Sequence, residues 1–187
     1  MSKTISLTGK DSPSPENTVR ETPLEKEKQK RVITHTKKWV FTETDYETAN
    51  QLHLIRDILS SGYTNHNHND NSHRIILQQI NQKIAGYKAQ DIAKSIYDPG
   101  HFITVDRVIE LLQDSELQCH YCKKDIKVLY EVVRDPLQWT LDRIDNDYGH
   151  NDGNLFISCL SCNLRRKTID HGRYELTKIC TNVVKLS

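Results

Sequence analysis

Two cysteine pairs constrain this chain more than any other feature. Cys119-His120-Tyr121-Cys122 and Cys159-Leu160-Ser161-Cys162 are both CxxC turns, with thirty-six residues between them. Each turn offers two sulfurs on one side, and two such turns supply the four thiolates of a tetrahedral structural zinc. Whatever lies between them must leave the metal and return to it. A unit too small to hold itself together by burial gains folding energy from such a staple. The start of the chain has no apolar core like that of a secretion signal, so a reducing, intracellular setting is expected. Disulfides are disfavoured there, and paired cysteines point to metal. With four Cys available, His120 reads as a surface residue. Cys180, the fifth cysteine, reads as a small buried apolar side chain.

Residues 1–38 are polar and carry nine Lys/Arg against five Asp/Glu, with Ser12-Pro13-Ser14-Pro15 near the start. Too little apolar surface is present to offset the entropy of ordering, so a disordered tail is expected. Apolar residues make up 36% of the 187, a low share consistent with chain outside the core. Thr44 to Glu47 has the form of a capping box before Leu52, Ile55, Ile58 and Leu59 at helical spacing. Asn65 to Asn71 reads as a polar loop despite His66 and His68. Ile76, Ile80 and Ile84 mark a second helix ending near Gly86. Ala89, Ile92, Ala93 and Ile96 mark a third. Thr104 would cap a fourth, with Val105, Val108, Ile109 and Leu112 on its apolar face. The spacing therefore predicts a helical region over 39–115, of unknown role. No apolar run approaches the ~18 residues of a membrane span.

Beyond Cys119 the pattern changes. Lys127 to Val133 and Leu137 to Leu141 are strand-prone, Asp145 to Gly153 is rich in turn residues, and Leu155-Phe156-Ile157 is a short strand candidate. A helix is expected from near Ser161 to about His171, interrupted at Gly172, with a further helical piece from Arg173. The fold class expected is α+β: a small helical N-terminal region followed, over 116–187, by a zinc-stapled module of short strands and helices. Charge is uneven although the net is only +1. Residues 119–158 carry five basic and seven acidic side chains, and 159–187 carry six Lys/Arg against Asp170 and Glu175. An acidic loop beside a basic helix suits a cation site next to a phosphate-binding surface, and on charge alone ordinary solvated faces fit as well.

Between the cysteine pairs stands Trp139-Thr140-Leu141-Asp142-Arg143-Ile144-Asp145-Asn146, then Gly149-His150 and Gly153-Asn154-Leu155. The second pair runs on into Asn163 and Lys167. Over Cys119 to Lys167 the chain resembles the HNH (ββα-metal, His-Me finger) endonucleases, and within them a zinc-stapled "DRIDN" subgroup found in phages and large DNA viruses. The resemblance implies hydrolysis of phosphodiester bonds, with DNA as the expected partner. It implies that Asp142 and Asn163 hold one Mg²⁺ or Mn²⁺, oxygen ligands suiting a hard cation. It places Asn154 at the position that orients the base or braces the loop, and it has Arg165, Arg166 and Lys167 reach phosphates from the helix.

One position departs from the family. Arg143 stands where the general-base His belongs, and arginine stays protonated. Three readings stay open. Asp145 or His150 serves as base; or a cation-activated water needs none and Arg143 clamps the phosphate; or the module has lost catalysis and keeps only nucleic-acid binding. A protein-interaction module is a further alternative. Taken singly, Asp142 and Asp145 could brace a turn, Asn154 and Asn163 could cap, and Trp139 reads as core. Only their ordered combination favours a site.

Overall fold

The structure is a computed structural model that describes residues 41–61, 71–130 and 132–181. The expected tail and most of the polar loop before Asn71 lie outside these residues.

The described chain opens with a short 3-10 turn at Glu43–Tyr46, followed by α1 (Thr48–Ser61). Asp45 Oδ2 accepts from the Thr42 amide (2.7 Å) and from the Thr42 hydroxyl (2.9 Å). The capping box is thus Thr42 with Asp45, not Thr44 with Glu47, and it closes the 3-10 turn rather than α1.

α2 runs unbroken from Asn71 to Ala93, where two helices were expected. Gly86 does not stop it: a Cβ there would meet nothing within 4 Å. A solvent-facing glycine inside a helix costs only about 1 kcal/mol, which the packing of the rest outweighs. The helix ends instead at Ser95 (φ 59°), where Ile96 N–H donates to Asp91 O (3.0 Å) and Ser95 N–H to Ile92 O (3.0 Å). That double closure is a Schellman end, made here without glycine. It leaves Ile92 more than half exposed.

α3 (Val105–Asp114) starts as expected, with Thr104 Oγ1 accepting from Arg107 N–H (3.3 Å) and Val108, Ile109 and Leu112 buried. These residues, with Ile55, Ile58, Ile75, Ile76 and Ile80 of α1 and α2, form one core cluster with Leu117, Val128, Trp139, Leu141 and Ile157.

Among the described residues of 127–133, the expected strand does not form. Lys127 makes a lone parallel bridge to Gln138. The amides of Val128 and Leu129 are taken instead by buried Gln51 of α1, whose Oε1 accepts both (2.7 and 3.0 Å). Gln51 satisfies that backbone as a strand neighbour would, so no strand is needed.

The sheet has two antiparallel strands, β1 (Trp139–Arg143) and β2 (Leu155–Cys159), with Trp139 opposite Cys159 and Leu141 opposite Ile157. α4 (Leu160–Arg166) follows β2 directly and ends at Lys167 (φ 54°), earlier than expected. α5 (His171–Thr181) begins with Asp170 Oδ1 accepting from Arg173 N–H (3.0 Å). The break therefore falls at Lys167, and Gly172 lies inside the first turn of α5. Cys180 on α5 is exposed rather than buried. The chain is thus mixed α+β, and no described helix is long and apolar enough to cross a membrane.

Candidate functional site

β1 has one paired edge and one free edge. Ile144 N–H donates to Asn154 O (2.9 Å), so even residues of β1 bond to β2. Trp139, Leu141 and Arg143 then turn their peptide groups to the free edge, where each needs a partner. Trp139 N–H donates to Lys127 O (3.0 Å) and its carbonyl accepts from Lys83. Leu141 N–H donates to the Tyr87 hydroxyl (3.0 Å), and Leu141 O accepts from Asn163 Nδ2 (3.2 Å). Arg143 O accepts from Arg166. Side chains of α2 and α4 thus stand in for a third strand and protect the edge.

The four cysteines converge. Their sulfurs all lie within 4.8 Å of one another, close enough to hold a metal such as zinc. Cys122 and Cys159 Sγ are 3.9 Å apart, near the ~3.8 Å edge of a tetrahedron with 2.3 Å metal–sulfur bonds. Lys123 (φ 55°) reverses the first turn, with its amide donating to Cys119 O (3.0 Å). Cys159 ends β2 and caps α4, and the amides of Cys159 and Cys162 donate to Cys119 Sγ (3.3 Å) and Cys159 Sγ (3.4 Å). Hydrogen bonds from Cys159 and Cys162 hold the Cys119 thiol well below its ordinary value. The same bonds push those two donors up, Cys162 to about 11. Crowded thiols favour a single anion; a dication is what lets all four ionise.

Asp142 is buried on β1. Its Oδ2 accepts from the Tyr121 hydroxyl (2.8 Å) and its Oδ1 from Arg166 (2.7 Å). Burial pushes the carboxyl up, opposed by the Tyr121 and Arg166 hydrogen bonds. Arg166, expected on the outer helix face to reach phosphate, is instead fully buried. Beyond Asp142 it donates to Arg143 O, Ile144 O (3.0 Å) and Ile169 O (2.9 Å), holding β1 to the turn after α4. Arg165 and Lys167 remain on the surface.

Asn163 lies one turn before Arg166 on the same side of α4. Its Nδ2 donates to Thr140 Oγ1 (3.1 Å) and Leu141 O, and its Oδ1 makes no hydrogen bond among the described residues. Asp142 and Asn163 are therefore brought to the same stretch of β1, Asn163 bonding the two residues before Asp142.

The other expected residues build the β1–β2 loop. Asn154 Oδ1 accepts from Asp145 N–H (2.9 Å) and its Nδ2 donates to Asp145 O (3.0 Å) and Gly149 O (3.1 Å). It braces the loop. Arg143 donates to Asn146 O (3.2 Å) and Tyr148 O (3.0 Å). Asp145 is exposed, its Oδ1 accepting from Asp147 N–H (2.9 Å).

His150 is buried, and Asp91 of α2 holds it: Oδ2 accepts the His150 amide (2.6 Å) and Oδ1 meets Nδ1 (2.8 Å). Its ring stacks on Tyr87, centroids 4.4 Å apart. Burial pushes His150 below its ordinary value, with Asp91 opposing, so the neutral ring donates from Nδ1. Gly149 must be glycine, since a Cβ would lie 2.6 Å from Ile96 O and 2.9 Å from Asp91 Oδ2. Segment 101–103 closes the far side through Ile103 N–H to His150 O (2.9 Å) and Asp152 N–H to His101 O (2.9 Å).

Sequence reading missed Lys83, Tyr87 and Asp91, which lie at i, i+4 and i+8 on α2 and face the module, and it missed Tyr121. A polar stripe of that spacing was visible on α2, but its partners are 56 (Lys83–Trp139) and 59 (Asp91–His150) residues away along the chain. No family model, no curated protein and no solved structure matches this chain.

Proposed function

We propose that this chain is a metal-dependent endonuclease of the HNH kind, hydrolysing phosphodiester bonds in DNA, with its module stapled by zinc on Cys119, Cys122, Cys159 and Cys162. The observation that carries the reading is the meeting of Asp142 and Asn163 on one stretch of β1, beside the four-cysteine cluster. Four sulfurs within 4.8 Å of one another fit zinc. Asn163 Oδ1 is uncommitted among the described residues, and a carboxylate keeps lone pairs beyond the two bonds that Asp142 makes, so the oxygen set fits a magnesium or manganese ion that arrives with a phosphate. When bound, such an ion supplies polarisation of the scissile phosphate and stabilisation of the leaving oxygen.

The chain's own residues do the rest. Arg166 and Tyr121 hold the Asp142 carboxylate in one orientation. Asn154 and Arg143 set the loop, which leaves Arg143 a brace rather than a base. His150 is neutral and anchored through Nδ1 by Asp91, so Nε2 is the nitrogen left to take a proton. Arg165 and Lys167 hold flanking phosphates from the surface of α4.

A second reading, a zinc-stapled module that binds nucleic acid without cleaving it, is favoured by one observation. Both oxygens of Asp142 are engaged, one by Arg166, with Arg143 the next residue, so the local balance favours an anion over a cation. The two readings separate on Asp142→Ala and Asn163→Ala. If each abolishes divalent-dependent nicking of supercoiled plasmid while DNA binding survives, the nuclease reading stands. Equal nicking by both variants and wild type would remove Asp142 and Asn163 from the reaction.

A further inference from the structure

Against the cysteine cluster, over the start of α4, lies a cavity of about 480 Å³ walled by three of the four cysteines, Cys122, Cys159 and Cys162, with Lys124, Arg165 and Lys178 around them. The cations come from three separate elements: the first cysteine turn, α4 and α5. Among the described residues, no Asp or Glu lines the cavity. A second cavity, of about 420 Å³, is lined by Asp145, Asp147 and Asp170, and its one arginine, Arg166, is committed to Asp142.

We infer that the Lys124–Arg165–Lys178 cavity is a second subsite for the phosphodiester backbone, an inference that rests on the nucleic-acid reading above. The cations are not there only to balance the metal. A dication held by four thiolates is a dianion, and three cations more than offset it. The backbone amides at the start of α4 are not available to an anion. Leu160 N–H goes to Gln138 O (2.9 Å), Ser161 N–H to Pro136 O (3.0 Å) and Cys162 N–H to Cys159 Sγ (3.4 Å). Selection therefore falls to side-chain charge, which suits a strand of repeated phosphates rather than one tightly chelated anion. The acidic cavity repels phosphate, so the flanking backbone is favoured on the zinc side of the module.

The test uses the full zinc-loaded chain and a labelled 20-base-pair duplex, with binding read by fluorescence anisotropy over a sodium chloride series. Wild type is compared with Lys124→Gln, Lys178→Gln and the double variant, with zinc content measured for each. Lys178 also sits over the Tyr174 ring (5.1 Å), so Lys124→Gln, with no such contact among the described residues, is the deciding variant. The expected result is full zinc content, weaker binding to every sequence tried, and a log–log salt slope shallower by about 1 per lysine removed. An unchanged slope in Lys124→Gln and the double variant, with wild type binding well, overturns the subsite and leaves the nucleic-acid reading standing. If wild type binds neither duplex, single-stranded DNA nor RNA, that reading falls and the subsite falls with it.

Discussion

The Tyr121 hydroxyl donates to Asp142 Oδ2 at 2.8 Å, tying the first cysteine turn to the strand that carries the site. Tyr121 lies between Cys119 and Cys122 and packs edge-on against Tyr174 of α5 (centroids 5.0 Å). The cysteine turn and the carboxylate are therefore mechanically linked. Tyr121→Phe keeps the packing and removes the bond. A loss of about 1 kcal/mol in urea unfolding is expected, since Asp142 keeps its Arg166 partner. A wild-type midpoint in that variant would show that the bond contributes nothing.

Arg166 is the residue whose loss should cost most. Arg166→Ala leaves a buried carboxylate without its counter-charge and the carbonyls of Arg143, Ile144 and Ile169 without a donor. Destabilisation of about 3–5 kcal/mol is expected. Arg166→Lys should recover only part of it, because an ammonium cannot span that fork of acceptors. Thermal melts of the three proteins check the order.

Gly149→Ala places a methyl group against a helix-end carbonyl and a carboxylate, neither of which can retreat without breaking the Schellman closure or the Asp91–His150 pair. A cost of roughly 1–3 kcal/mol is expected. Gly86→Ala, with open space around its Cβ, should be neutral or stabilising by up to about 1 kcal/mol. Equal melting temperatures for the two variants would contradict the close packing at Gly149.

The pH dependence follows from His150 and Lys83, both held below their ordinary values by burial, Lys83 to about 7. In each case the unfolded chain binds a proton that the folded chain resists, so stability rises with pH. For His150 the contribution is complete above the unfolded value near 6.5 and is lost as pH falls below it. For Lys83 the rise spans about 7 to 10.4. His150→Gln should flatten the acid side and Lys83→Met the alkaline side of a denaturation series across pH. Unchanged profiles would mean that these groups titrate alike in both states.

Metal removal tests the staple. Chelation should cost the module its fixed tertiary structure, because ligand binding and folding are one equilibrium in such a unit. Near-ultraviolet circular dichroism from buried Trp139 should collapse with EDTA and return with one equivalent of zinc. Cys162→Ser should mimic the chelated state. A chelated protein with an intact spectrum would show that the core holds the module unaided.

The parts legible in sequence were local ones. The cysteine pairs, the Thr104 cap and the strands around Trp139 and Phe156 follow from spacing and turn chemistry acting over a few residues. Gly86 misled because a glycine ends a helix only where the backbone needs its freedom, and here the stop is made at Ser95. Lys127 to Val133 misled because strand propensity shows in structure only when a neighbour pairs, and Gln51 had already taken that backbone. The candidate site was legible in part for the same reason. Asp142, Asn154 and Asn163 stand in a recognisable order, but Tyr121, which bonds Asp142, and Asp91, which holds His150, come from other elements. Nothing local in α2 shows that Asp91 will hold His150 or that Tyr87 will accept from the Leu141 amide at the edge of β1. Arg166 was visible as a charge and misread as an exposed one, because burial is decided by what the helix packs against.

The most direct test of the central claim is nicking of supercoiled plasmid by the purified zinc-loaded chain, in magnesium, in manganese and in EDTA. The account expects open-circular product with either ion and none in EDTA. Intact plasmid in all three, from protein that still binds DNA, would contradict the nuclease and leave a binding module.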